Sequence, residues 1–269
     1  VSLFVRRIIF LVFLMGIIAL GLSTNLGIAA ESKTDEARHL TLCAEPWPPY
    51  DYKVNGQVKG KDVELNRKLF SSLGVKTTIT IIPWSQCWKL VASGKIDGAL
   101  MVSKKKFREK SVYYPSIPVT TAEYVWVTNE HYQARYFDAC PNLSKEKLKV
   151  GVVKGNSYNS AFLKCLSKSE NRSRIVAYPN LETAIRMLML NKIQLILAIP
   201  EIVEYYNQAL HRNKVSIQGT PLFTKIYYTV LSKKSSFSHP KYKNIEAVLT
   251  AYNEALAKHL QKSMPANDK

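Results

Sequence analysis

Apolar and polar positions follow one pattern twice along this chain. His39–Ala44 mixes apolar and polar residues over the length of a strand. Val63, Leu65, Leu69, Phe70 and Leu73 recur at helical spacing until Gly74 stops the run. Thr77–Ile82 is β-branched throughout and predicts a strand, Trp84–Ser93 a short helix ended by Gly94, and Asp97–Val102 a buried strand. The pattern then restarts. Leu148–Val153 reads as a strand, and Gly155-Asn156-Ser157 opens a helix running to about Leu166. Arg174–Ala177 is a strand and Pro179–Asn191 a helix with Asn180 as cap. Ile193–Ile199 is a buried strand and Glu201–Leu210 a helix. Strands alternating with helices predict parallel α/β sheets, and two such blocks predict two α/β lobes. Thr120–Thr128 and Thr224–Leu231, rich in β-branched and aromatic residues, read as ordered strands crossing between the lobes. A last helix, about Pro240–Lys262, carries an apolar stripe (Ile245, Val248, Leu249, Tyr252, Leu256, Leu260) expected to pack on the first lobe.

The N-terminus breaks this rhythm. Arg6 and Arg7 precede Ile8–Leu22, fifteen residues that are all apolar or glycine, and small residues follow. That is the pattern of a secretory signal over residues 1–30, cleaved after Ala29 or Ala30. The alternative is an uncleaved anchor, for which the run is short against the roughly 18–20 residues of a membrane span. The expected location is the periplasm. About 240 residues then remain, enough for one large or two medium cores.

Charge adds little to the assignment. Lys and Arg number 38 against 20 acids, a formal +18. The bases are scattered, with short clusters at Lys104-Lys105-Lys106 and Lys233-Lys234. No nucleic-acid motif accompanies them, so no nucleic-acid partner is expected. Cys43, Cys87, Cys140 and Cys165 are an even number in a chain with an export signal, which predicts disulfides. Of three connectivities we favour Cys43–Cys87, within one βαβα unit, and Cys140–Cys165, flanking the strand Lys149–Val153. One bridge with two buried thiols is the alternative. No C-x-x-C and no Cys/His cluster points to a metal.

The candidate chemistry lies at strand ends, where open α/β sheets bind ligands. Glu45–Tyr50 holds three prolines, which stiffen a loop presenting Trp47 and Tyr50. Trp47 reads equally well as core. Trp84, at the next strand end, offers a second aromatic face, while Trp88 reads as core. Arg108 is a fixed cation suited to a carboxylate, although a solvated arginine among lysines is the plainer reading. From the other lobe, backbone N–H groups at Gly155-Asn156-Ser157 face the same ligand if a helix starts there. Enzyme motifs are lacking: there is no G-x-S-x-G, H-E-x-x-H or P-loop, and His39, His131, His211, His239 and His259 avoid the cleft-facing strand ends. Glu45 and Glu64 are candidate lone acids without a partner.

Several segments in order carry a resemblance. They are Pro48-Pro49-Tyr50, Gly60-Lys61-Asp62-Val63-Glu64-Leu65, Gly94-Lys95-Ile96-Asp97-Gly98, Arg108, Pro115 to Pro118, Gly151-Val152-Val153-Lys154-Gly155-Asn156-Ser157 and Tyr227-Tyr228. Over about residues 38–262 the chain resembles the family 3 bacterial extracellular solute-binding proteins, periplasmic amino-acid-binding components of ABC importers. The resemblance implies a type II periplasmic-binding fold, two α/β lobes joined by two crossing strands, with residues 31–120 plus 227–269 as lobe 1 and 121–226 as lobe 2. It implies a monomer without cofactor, and a membrane ABC permease that receives an amino acid or related small carboxylate. It gives Arg108 the ligand carboxylate, with help from Gly155, Asn156 and Ser157, and has the aromatic at Tyr50 cover the ligand. The family's usual acid for an α-ammonium falls at Ile199 or Pro200. Glu201 would serve only by a register slip, and Glu45 is the other candidate. The alternatives on the same fold are an enzyme resembling cyclohexadienyl dehydratase and a protein that presents a ligand to a sensor.

Overall fold

The structure, a computed structural model, describes residues 39–130, 132, 140–141, 143–209 and 215–263. The leader expected over residues 1–30 lies outside them, as do His131 and His211. The chain runs β1 (Leu40–Ala44), β2 (Tyr52–Val54), β3 (Gln57–Lys59), α1 (Lys61–Ser72), β4 (Thr77–Ile81), α2 (Trp84–Ala92), β5 (Gly98–Ser103) and β6 (Val112–Tyr113). A long β7 (Thr120–Asn129) leads into β8 (Val150–Val153), α3 (Ser160–Ser167), α4 (Ser169–Arg172), β9 (Ile175–Tyr178), α5 (Leu181–Met189), β10 (Leu195–Ala198) and α6 (Pro200–Ala209). The long β11 (Val215–Ser232) returns, and α7 (Ile245–Ser263) follows.

Nine strands form one sheet in the order β4-β1-β5-β11-β7-β10-β8-β9, with β6 also on β11. β1 lies parallel to β4 and β5, and β8 parallel to β9 and β10. β7 and β11 are antiparallel to each other, β7 is antiparallel to β10, and β11 is antiparallel to β5. Each lobe is therefore a parallel three-stranded unit closed by one of two crossing strands, as the sequence pattern predicts. β5 is buried at every position, the mark of a strand covered on both faces. On one face α1 and α7 lay Phe70, Val248, Leu249, Tyr252 and Leu256 over Leu40, Leu42 and Leu100. On the other, α2 brings Cys87 and Val91 against Cys43, Ala99 and Val102. The last helix does pack on the first lobe, although it starts at Ile245, where Asn244 Oδ1 accepts from the Ala247 N–H at 2.9 Å.

Two further departures have local causes. The β2–β3 hairpin turns at Asn55-Gly56, with φ of 50° and 79°, the left-handed pair that a two-residue hairpin needs. Gly155-Asn156-Ser157 does not open a helix. It is a loop after β8, and α3 begins at Ser160, because Asn159 provides the cap: its Oδ1 accepts from the Phe162 N–H at 2.7 Å. Asn180 caps α5 as expected, accepting from the Thr183 N–H at 2.8 Å. Both disulfides have the expected pairing, Cys43–Cys87 and Cys140–Cys165.

Candidate functional site

The loops that carry the candidate residues are fixed from below. After β1 the chain turns at Trp47, whose N–H donates to Asp51 O at 2.6 Å. The first N–H groups of α1 hold this loop: Lys61 donates to Pro49 O at 3.0 Å and Asp62 to Tyr50 O at 3.2 Å. Gly60, with φ of 133°, makes the close approach possible, since a Cβ there would lie 1.9 Å from Tyr50 O. The Cys43–Cys87 bridge ties the end of β1 to the first turns of α2, so the loop of Glu45 and Trp47 is stapled to the helix that starts at Trp84.

Those loops meet the second lobe around a cavity of about 30 Å³. Glu45, Trp47, Trp84, Met101, Ser103 and Arg108 line it from the first lobe, Tyr124, Lys225 and Tyr227 from the crossing strands, and Asn156 and Ser157 from the second. Met101 takes a φ of 51° within β5, close to where the pairing of β5 with β11 shifts register. Arg108 is only 4% exposed. Its Nη1 donates to Ser103 O at 2.9 Å and Ser103 Oγ at 3.0 Å. Its guanidinium lies 4.7 Å from the Trp84 ring centre and 5.3 Å from that of Trp88. Arg108 Nε is buried without a hydrogen-bond partner, and so is Ser157 Oγ on the facing lobe.

The remaining groups set the polarity. Lys225 Nζ donates to Ser157 O and sits 5.1 Å from the Tyr227 ring centre and 5.4 Å from that of Tyr124. The two tyrosine hydroxyls share a hydrogen bond of 2.5 Å. Burial pulls Lys225 down to about 7, helped by Lys105 and Arg108 and opposed by Glu45. Burial pushes Glu45 up to about 7 against the pull of Lys225 and Arg108.

Of the residues singled out from the sequence, the fold brings Glu45, Trp84, Arg108, Asn156 and Ser157 to one cavity. Gly155 sits at its edge, where an added Cβ would lie 3.6 Å from Trp84 Cδ1. Tyr50 stands behind: its ring backs Trp47 with centroids 5.4 Å apart, and its hydroxyl points at Glu201 across the cleft. Burial and the Glu201 carboxylate push that hydroxyl up to about 12. Trp47 is the aromatic that lines the cavity in this loop. Trp88 packs with the core beneath α2 and also stacks on Trp84 at 6.0 Å. Glu64 is on the exposed face of α1, paired with Arg67 at 2.9 Å. Ile199 is fully buried, so Glu45 is the one carboxylate lining the cavity among the described residues. Tyr124, Lys225 and Tyr227 were not read as site residues, although Tyr227 belongs to a segment that carries the resemblance. Lys225 and Tyr227 are two apart on a strand and so share a face, which is the signal that could have found them.

The family model of the bacterial extracellular solute-binding proteins, family 3, matches residues 40–264. The chain belongs to this family. No curated protein matches it at the level of sequence. Solved structures share the fold at low identity. The arginine-, lysine-, histidine-binding protein ArtJ from Geobacillus stearothermophilus superposes with a TM-score of 0.68 at 16% identity, over 84% of this chain and 90% of that one. The ancestral amino acid-binding protein AncCDT-1, a precursor of cyclohexadienyl dehydratase, gives 0.67 at 20%, over 84% and 90%. A histidine kinase sensor domain similar to periplasmic binding proteins gives 0.66 at 16%, over 85% and 92%. The fold is thus the type II periplasmic-binding fold, and family membership places the chain among extracellular or periplasmic binders of solutes. No helix among the described residues is long and apolar enough to cross a membrane.

Proposed function

We propose that this protein captures an amino acid or related small carboxylate between its lobes and delivers it to a membrane ABC importer. In this reading residues 1–30 direct export and are removed, residues 31–120 plus 227–269 form lobe 1, and residues 121–226 form lobe 2. The observation that carries it is the pair of unpartnered buried donors on opposite walls, Arg108 Nε and Ser157 Oγ. A buried donor without an acceptor costs roughly 1–3 kcal/mol, so this cleft favours a ligand that supplies acceptors. A carboxylate does so for both lobes at once and thereby favours closure. Trp47 and Trp84 supply the aromatic walls. The cavity of about 30 Å³ is far below the roughly 300 Å³ of a small-molecule site, so the lobes must part to admit a ligand.

Isothermal titration of the purified protein with a panel of amino and organic acids tests this. Binding of at least one carboxylate is expected, and Arg108→Ala is expected to weaken it by about 100-fold or more, as for other buried charge pairs. No binding by the wild type, or unchanged binding by Arg108→Ala, contradicts the proposal. We read the protein as a binder because its fold neighbours include amino-acid-binding proteins and its family is one of solute-binding proteins. The enzyme alternative would use Glu45, the one carboxylate lining the cavity among the described residues, as its acid. Turnover of prephenate or arogenate would overturn the binder reading.

A further inference from the structure

We propose that the cavity selects dicarboxylates, with one carboxylate on Arg108 and the second on Lys225. This rests on the cavity being the ligand site and narrows the class of ligand. Two cations line one small space from separate elements, the turn after β5 and the crossing strand β11. Neither forms a direct ion pair among the described residues, and Glu45 is the one carboxylate in the lining that acts on both. Arg108 donates to the carbonyl and hydroxyl of Ser103 and faces the rings of Trp84, Trp88 and Phe107. Lys225 donates to the Ser157 carbonyl and faces two tyrosine rings. All of these partners are neutral. Holding two like charges together in a closed cleft is unfavourable unless counter-charge arrives; Glu45 supplies at most one negative charge, and a zwitterion with a single carboxylate adds none on balance. Lys225 bonds a backbone carbonyl, so it can turn to a ligand without breaking an ion pair.

Two kinds of ligand fit this chemistry, and Glu45 separates them. An acidic amino acid places its ammonium against an ionised Glu45, and the charges of ligand and site then sum to zero. A plain dicarboxylate brings no ammonium, and the sum reaches zero only with Glu45 protonated. Arg108, Lys225, Tyr124, Tyr158, Tyr227 and Asp51 all face Glu45 electrostatically. Burial already brings the Glu45 carboxyl to about 7, so a dicarboxylate without an amine should bind with uptake of protons near neutral pH.

The test is calorimetric titration with succinate, aspartate and alanine, in two buffers of different ionisation enthalpy. The wild type should bind succinate or aspartate about 30-fold or more tighter than alanine, the size of a buried charge contact. Lys225→Gln should remove that preference, Lys225→Arg should restore it, and circular dichroism should show all variants folded. Proton uptake by Lys225→Arg, whose second cation stays charged throughout, reports on Glu45 alone: uptake with the tighter ligand assigns the plain dicarboxylate, and its absence assigns the acidic amino acid. Equal binding of alanine and the dicarboxylates, or a preference that survives Lys225→Gln, overturns the inference and leaves the carboxylate site standing. Failure of every carboxylate to bind overturns both.

Discussion

Arg108 and Asp51 are both buried ionisable groups with unpartnered atoms, and they have opposite consequences. Arg108 faces the cavity, where a ligand can complete its hydrogen bonds. Asp51 is fully buried beneath the Trp47–Tyr50 turn, and neither of its side-chain oxygens has a partner. Asp62 lies close by, with Oδ1 accepting from Asn66 Nδ2 at 3.0 Å and Oδ2 unpartnered. Burial raises Asp62 to about 7, and it raises Asp51 well above the usual range, with Asp62 and Glu45 adding repulsion. A carboxyl whose folded pKa is raised holds its proton more tightly in the native state than in the unfolded chain. Its contribution is therefore complete below about pH 4 and is lost as pH climbs to about 7. Asp51→Asn should flatten this loss and raise stability at pH 8 by on the order of 1–3 kcal/mol, since the amide can donate to the orphaned Asp62 oxygen. Urea denaturation at pH 5 and pH 8 measures it. A variant that is less stable than wild type at pH 8 would contradict the role given to the pair.

At the scale of elements, the two disulfides have different positions relative to the cavity. Cys43–Cys87 closes a separation of 44 residues and staples two loops of the site; Cys140–Cys165 closes 25 and sits away from it. Replacing either pair by alanine should cost roughly 2–4 kcal/mol of stability. Only loss of Cys43–Cys87 should also weaken ligand binding, whereas loss of the other should leave affinity within about twofold. Titration of both variants checks this, and equal losses of affinity would contradict the stapling role. The same elements explain what could be read from the sequence. Glu45 and Trp84 were legible because each follows a segment that reads as a strand, and α/β sheets bind beyond such ends, whereas Arg108 among its lysines was picked out by the family resemblance. The start of α3 was misplaced because Gly155-Asn156-Ser157 and Asn159 both look like openings, and only the bond from Phe162 N–H to Asn159 decides between them. Tyr124, Lys225 and Tyr227 were missed as site residues because crossing strands read as connectors. Their facing is fixed by pairing between two segments about a hundred residues apart, as in the Thr120↔Tyr227 register.

In the whole molecule, the proposed function requires the lobes to part and close. Contacts that hold them together flank the cavity. Tyr50 reaches Glu201, and the Tyr52 and Tyr205 rings meet at 5.6 Å. Each joins the first lobe to the second, so the opening that the proposed function requires would break a small set of polar and aromatic contacts, with β7 and β11 as the connecting strands. In the proposed reading, the broad positive charge, +18 over the chain, would raise the encounter rate of anions without selecting among them, leaving selection to Arg108 and its neighbours. The most direct measurement is a crystal structure of the protein grown with a carboxylate that titration shows to bind. The account predicts that carboxylate accepting from Arg108 Nε and Ser157 Oγ, with Trp47 and Trp84 on either side. A ligand bound elsewhere, with Arg108 Nε still lacking an acceptor, would contradict it.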